Sequence, residues 1–251
     1  MAELIAATVR SKPRAVLGLA TGRTPETVYK ILGEKHRIEG LDFSRTVTFN
    51  LDEYIGIPAE DPRSYRGTME ESLFRHVNIK PGNTHLPDGM AVDLDAECRR
   101  YEEKIAAAGG IDLQLLGIGL NGHLAFNEPL SSLTSRTRTK SLTPETRAQN
   151  ATFFGGAENV PSRAITMGVG TILESRWCIM LATGESKAGI LREAIEGPVR
   201  SVVTASALQM HQRCTVVVDE LAAARLEHKE YYRWVFQNEP EWLPFRPILS
   251  R

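Results

Sequence analysis

The apolar positions of this chain fall into short blocks, and most blocks end in a polar turn that contains glycine. Residues 14–20, RAVLGLA, close on Thr21-Gly22, and TPETVYKILGEKH (24–36) then carries Val28, Ile31 and Leu32 at helical spacing. Thr24 is a suitable N-cap and Pro25 suits the first helical position, so this stretch predicts strand, tight turn and helix. TVTFNLD (46–52) predicts a second strand with a polar end. AECRRYEEKIAAAGG (96–110) predicts a charged helix stopped by paired glycines, and DLQLLGIG (112–119) another apolar strand. WCIMLAT (177–183) predicts a strand, followed by the turn GESK and a helix over AGILREAIEG. CTVVVDE (214–220) predicts the last strand, LAAARLEHKEYYRWVF a terminal helix, and residues 238–251 a proline-punctuated surface tail.

Strands alternating with helices predict an α/β fold: an open, mostly parallel sheet with helices on both faces, a three-layer Rossmann-like arrangement formed by residues 1–251 as one domain. The strand blocks are apolar at consecutive positions, as strands covered on both sides are. In such sheets ligands collect at the carboxyl ends of the strands. The polar clusters stand there: Thr21-Gly22-Arg23-Thr24, Asn50 with Asp52 and Glu53, Asn121-Gly122-His123, and Gly184-Glu185-Ser186-Lys187.

Composition narrows the choice of function. The 251 residues are 42% hydrophobic and 24% charged, enough for a well-buried core. A net charge of −1 gives no overall basicity to hold nucleic acid or an anionic membrane. No apolar stretch approaches the roughly 20 residues of a membrane helix, and the start, MAELIAATVRSKPRAV, lacks the pattern of a secretory signal. Cys98, Cys178 and Cys214 are widely spaced and form no CxxC pair, which reads as free thiols in a reducing cytoplasm. The six histidines form no HxH, HExxH or Cys/His cluster, so no metal site is expected.

LLGIGLNGHLAFNEP (115–129) raises the sharpest question. Its spacing Gly117-x-Gly119-x-x-Gly122 matches a dinucleotide fingerprint. Pro129 interrupts soon afterwards, however, and residues 131–140 are basic where an acidic ribose ligand is required. GLATGRTP is not a nucleotide P-loop, because the glycine spacing is short and Arg23 stands where lysine belongs. Free N–H groups at a helix start, the hydroxyls of Thr21 and Thr24 and the cation of Arg23 suit a single sugar phosphate instead. Asp52 and Glu53 are adjacent on extended chain, so one faces the crevice and the other packs elsewhere. His123 beside glycines at a strand end is a candidate acid–base group, with Glu128 as a carboxylate that could orient it. Lys187 could ground a phosphate or cap its turn.

Taken together, GLATGRTPETVYKIL, VTFNLDEYIGI, DAECRRYEEKI, LLGIGLNGHLAFNEP, SSLTSRTRTKSLTPETR, AITMGVGTIL and TGESKAG resemble the glucosamine-6-phosphate deaminase (isomerase) family, in that family's order, over most of residues 15–215. The resemblance implies a cofactor-free cytoplasmic enzyme that converts glucosamine 6-phosphate and water to fructose 6-phosphate and ammonia on a modified open α/β sheet. It implies that His123 opens the pyranose ring, that Asn121 and Glu128 orient or tune the imidazole, and that Asp52 removes the C2 proton. It implies a phosphate held by Thr21, Gly22, Arg23, Thr24 and Lys187, while the Gly117–Gly119 turn supplies backbone donors to the developing oxyanion.

Three departures from the family pattern stand out. Asn121 replaces an aspartate common in the family; an amide can hydrogen-bond the imidazole but brings it no charge, which leaves more of that role to Glu128. Thr152 stands where many members have a phosphate-binding arginine, and Arg23, unusual in its turn, is expected to replace that charge. The family's opening strand is expected to lie outside this chain. Ser131, Arg138 and Lys140 match an allosteric phosphate site of hexameric members, so homo-oligomers and activation by N-acetylglucosamine 6-phosphate become expectations to test. Two other functions share the architecture: a 6-phosphogluconolactonase, whose chemistry needs the histidine but no C2 base, and a non-catalytic sugar-phosphate sensor, for whose usual DNA-reading module no segment is evident.

Overall fold

The structure is a computed structural model that describes residues 1–246. It opens with helix α1 (Ala2–Ser11), which buries Leu4, Ile5 and Val9 at helical spacing. Strand β1 (Val16–Leu19) is followed by α2 (Arg23–Glu39), and then by β2 (Val47–Asn50), β3 (Asp52–Tyr54) and α3 (Tyr65–Ser72). The short β4 (Thr84–His85), α4 (Leu94–Ala107) and β5 (Leu113–Leu116) come next. After a long loop come β6 (Arg138–Ser141), α5 (Pro144–Phe154), β7 (Arg163–Thr166), α6 (Val169–Leu173) and β8 (Cys178–Ala182). The chain continues through α7 (Ala188–Ile195), β9 (Cys214–Val218) and α8 (Lys229–Asn238).

Six strands form one sheet in the order β4-β2-β1-β5-β8-β9, every pairing parallel. β1, β2 and β5 are buried at every position, because crossover helices cover both sides of a parallel sheet. The order runs outward from β1 through β2 in one direction and from β5 through β8 in the other. A crevice opens between the loops where that direction reverses, at the carboxyl ends of β1 and β5.

A second, antiparallel sheet in the order β3-β7-β6 sits at this end. Leu51 joins the two sheets. Its N–H bonds Leu19 of β1 at 3.1 Å, while its carbonyl accepts the N–H of Met167 just past β7 at 2.7 Å. The predicted strand over 46–52 therefore breaks at Leu51, and Asp52 begins the small sheet, paired with Thr166. Tyr54, Phe126, Phe154 and Ala164 form a separate apolar cluster there, apart from the main core.

The remaining departures have local causes. The predicted terminal helix is split into a 3-10 turn (Ala222–Arg225) and α8. The split arises because Asp219 captures the Ala222 N–H while Glu196 captures those of Glu227 and His228. Of the predicted tail, Pro240–Phe245 forms a 3-10 helix, and Trp242 and Phe245 pack on the main core. Residues 247–251 of that tail lie outside the described residues. Among the described residues, no helix is long and apolar enough to cross a membrane.

Candidate active site

The loops at the sheet's carboxyl end enclose a cavity of about 320 Å³. Six chain segments build its walls: the turn after β1, the start of β3, the start of α3, the loop after β5, α5 and the turn after β8.

The β1 turn presents mainly backbone to the cavity. α2 starts at Arg23 with Gly22 as N-cap and no side-chain cap, which corrects the expectation that Thr24 caps the helix. Gly22 adopts φ 123°, a value that L side chains rarely reach. The first N–H groups of α2 are therefore left open where the helix meets the cavity, the arrangement that attracts phosphate. Thr21, Gly22, Arg23 and Thr24 all line the cavity, as does Lys187. Lys187 donates to the Ile118 carbonyl at 2.6 Å, and burial lowers the pKa of its ammonium. Arg23 reaches across the cavity to α5, where it donates to the Thr152 hydroxyl at 3.1 Å and lies 5.5 Å from the centre of the Phe153 ring. The cation of Arg23 thus stands beside Thr152.

At β3 the neighbouring carboxylates part as an extended chain requires. Asp52 faces the cavity, 6% exposed, and among the described residues its carboxylate accepts no hydrogen bond. Burial, reinforced by the charge of Glu53, raises its pKa well above the ordinary carboxylate value. Glu53 is buried on the other side, where it accepts the N–H groups of Tyr54, Tyr65 and Arg66.

The loop after β5 carries His123 into the cavity and keeps its support behind it. Glu128 Oε2 lies 3.3 Å from His123 Nδ1 and accepts from Asn121 Nδ2 at 2.9 Å. Asn121 Oδ1 accepts the backbone N–H of His123 at 3.2 Å. Asn121 therefore orients the loop and Glu128, and does not bond the imidazole itself. Glu128 Oε1 also accepts from the N–H and hydroxyl of Thr143, the N-cap of α5. Although burial pushes the Glu128 pKa up, the bonds from His123, Thr146 and Asn121 draw it down to about 2. As an ionised acceptor it fixes the Nδ1–H tautomer and leaves Nε2 for chemistry.

Gly119 packs against that nitrogen: a Cβ added there would lie 2.5 Å from Nε2. Its own N–H is given to the His123 carbonyl at 3.0 Å, which removes it from the donors free to meet an oxyanion. Gly117 remains in the cavity wall. Ala125 (φ 52°) and Leu130 (φ 71°) hold left-handed backbone on either side of Glu128, strain of the kind that collects at functional loops. No helix begins at Gly122, so the glycine fingerprint lacks the helix N-terminus that a dinucleotide requires.

α5 closes the remaining side. Thr146, Gln149, Asn150 and Phe153 share one helical face and line the cavity, with Tyr65 of α3 nearby. None of these residues was expected in the site. Thr143 caps the helix and Pro144 opens it, but the partner of its polar face is not written in the local sequence. Ser131, Arg138 and Lys140 do not line the cavity. The Ser131 hydroxyl is buried without a partner among the described residues, and Arg138 donates to Asn127 Oδ1 at 2.9 Å. No group of three or more His, Cys, Asp or Glu residues among those described could hold a metal ion.

The sequence profile described as glucosamine-6-phosphate isomerases/6-phosphogluconolactonase matches residues 1–217. The chain belongs to that family. A glucosamine-6-phosphate deaminase of Arthrobacter sp. (strain FB24) is 52% identical over 241 residues, covering 96% of this chain and 93% of the relative. That of Streptomyces coelicolor is 48% identical over 243 residues, with coverages of 96% and 93%. The solved structure of a monomeric glucosamine-6-phosphate deaminase superposes with a TM-score of 0.88 at 46% identity, covering 89% of this chain and 93% of that one. A 6-phosphogluconolactonase from Trypanosoma cruzi shares the fold at 22% identity, with a TM-score of 0.73.

Proposed function

We propose that this member of the family converts glucosamine 6-phosphate and water to fructose 6-phosphate and ammonia. The observation that carries the reading is a buried, partnerless carboxylate, Asp52, in the same small cavity as His123 and the uncapped start of α2. The deaminase relatives, close to half identical over nearly the whole chain, support it.

The phosphate binds the N-terminal N–H groups of α2 with Thr21, Gly22, Thr24, Arg23 and Lys187, and orients the far end of the sugar. His123 Nε2 takes the proton of the anomeric hydroxyl and returns it to the ring oxygen. The C1–O5 bond breaks and C1 becomes an aldehyde. Glu128 holds the imidazole, and Asn121 holds Glu128. Asp52 then removes the C2 proton, and its electron pair forms the C1=C2 bond of an enolamine as O1 gains a proton. Return of a proton to C1 gives a ketimine at C2; water adds there and ammonia leaves, giving the ketone. A carboxylate is a weak base in water, so its contribution lies in being dry, close and free of competing hydrogen bonds.

Lactone hydrolysis by the same cavity needs no base at C2, and Asp52 would then be idle. Assay of the purified protein for ammonia and fructose 6-phosphate, in parallel with 6-phosphogluconolactone hydrolysis, separates the two readings. Stoichiometric release of both products supports the deaminase. Lactone turnover without ammonia refutes it.

A further inference from the structure

Glu53 neighbours the proposed base but performs a different task. It is 3% exposed. Its Oε1 accepts the N–H groups of Tyr54 at 2.8 Å and Tyr65 at 2.9 Å, and its Oε2 accepts that of Arg66 at 2.9 Å. Tyr65 and Arg66 are the first residues of α3, whose N-cap Ser64 uses its hydroxyl for the N–H of Gly67. One carboxylate thus satisfies two orphan donors of α3 and fastens the helix start to β3, across the loop between Tyr54 and Tyr65. Tyr65, so held, forms part of the cavity wall. Its ring stacks on Phe126 at 5.9 Å and its hydroxyl lies 3.3 Å from that of Tyr54.

We propose that Glu53 is a positioning residue for Asp52: a fixed buried charge that locks α3 to β3, sets Tyr65 in the cavity wall and acts on the adjacent carboxylate through its field. The inference rests on the reading of Asp52 as the base. The titratable and charged groups around Asp52 are Glu53 and Tyr54 on β3, Tyr65 on α3, Tyr101 on α4, His123 in the β5 loop, and Arg23 and Lys187 elsewhere on the cavity wall. Of these, Glu53 carries the second carboxylate. Two close carboxylates resist ionising together. Burial raises the pKa of both carboxyls, but on Glu53 alone three N–H donors and the Arg66 guanidinium offset part of that rise. The shared cost therefore falls on Asp52, whose proton affinity rises.

The test is the pH profile of kcat/KM. Glu53→Gln removes the charge, so the acid limb moves to lower pH by about one unit, and kcat falls because an amide N–H now faces the N–H of Arg66. Glu53→Asp keeps the charge but is too short to reach all three donors; kcat falls and the acid limb stays at its wild-type position. An unmoved limb in Glu53→Gln, or equal shifts in both variants, overturns the proposal. If Glu53→Gln does not fold, carboxyl ¹³C NMR of the wild-type protein decides: Glu53 must lose its proton at lower pH than Asp52, and the reverse order overturns the proposal. Asp52→Asn separates the two readings. Solvent-proton exchange at C2 that persists in that variant refutes Asp52 as the base. Its loss, together with an unmoved Glu53→Gln limb, refutes only the role of Glu53.

Discussion

Replacing Gly119 by alanine adds one methyl group beside the His123 ring, the proposed acid–base group of ring opening. The new Cβ would lie 2.5 Å from Nε2 and 2.6 Å from both Cδ2 and Cε1 of His123. Carbon contacts settle near 3.5–4.0 Å, so the ring must retreat by about 1 Å. Gly119 is not among the glycines with positive φ, so the backbone tolerates alanine and the clash is the whole perturbation. The ring can retreat because its side chain is 12% exposed and borders an open cavity, and its bond to Glu128 is already long at 3.3 Å. A 1 Å misplacement of a catalytic group costs on the order of 10²-fold in rate. Stability moves far less, since the gain of about 0.4–1 kcal/mol from a stiffer unfolded chain offsets part of the strain. The coupled assay for ammonia and fructose 6-phosphate should show kcat/KM down by about two orders of magnitude, and calorimetry a Tm within a few degrees of wild type. A folded Gly119→Ala variant with wild-type kcat/KM would refute the placement of the ring.

Arg23→Ala removes an exposed cation, and the loss of one charge-assisted contact at such a site is about 1–2 kcal/mol. KM for glucosamine 6-phosphate should rise about 5- to 30-fold while glucosamine without phosphate is unaffected; an unchanged KM contradicts a phosphate contact. Asp52→Asn should raise Tm at neutral pH. The folded carboxyl holds its proton above the unfolded value of 3.8, so wild type loses stability as pH rises past that value, and the advantage of the variant should vanish below it. A variant less stable than wild type at pH 7 would contradict this. Glu128 has the opposite sign. Its pKa is depressed from 4.5 to about 2, so it stabilises the fold above that window and the stabilisation is lost as pH falls through it. Acid titration of Tm should be flatter in Glu128→Gln over that range, and an identical slope contradicts the ionised Glu128.

The large sheet was legible because buried parallel strands need consecutive apolar residues, and VLGL, VTFN and LQLL announce themselves. The turn after β1 was legible because strand, glycine and helix adjoin in sequence. The small sheet was not: Arg138–Ser141 is polar, Asp52–Tyr54 is three residues long, and their pairing exists only because Arg163–Thr166 lies between them. α5 was missed for a related reason. It buries only Thr146 and Phe154, and its polar face is turned to the cavity, so no apolar stripe marks it. Asn121, His123 and Glu128 are close in sequence, but which of them bonds which depends on the loop's left-handed residues, Gly122 and Ala125.

The proposed chemistry requires one substrate pose, and a crystal structure of Asp52→Asn with glucosamine 6-phosphate bound would test it. The phosphate should accept hydrogen bonds from the first N–H groups of α2 and from Lys187, with C2 within about 3.5 Å of the residue 52 side chain and the ring oxygen beside His123 Nε2. A phosphate bound away from the start of α2, or a C2 atom turned from residue 52, would contradict it.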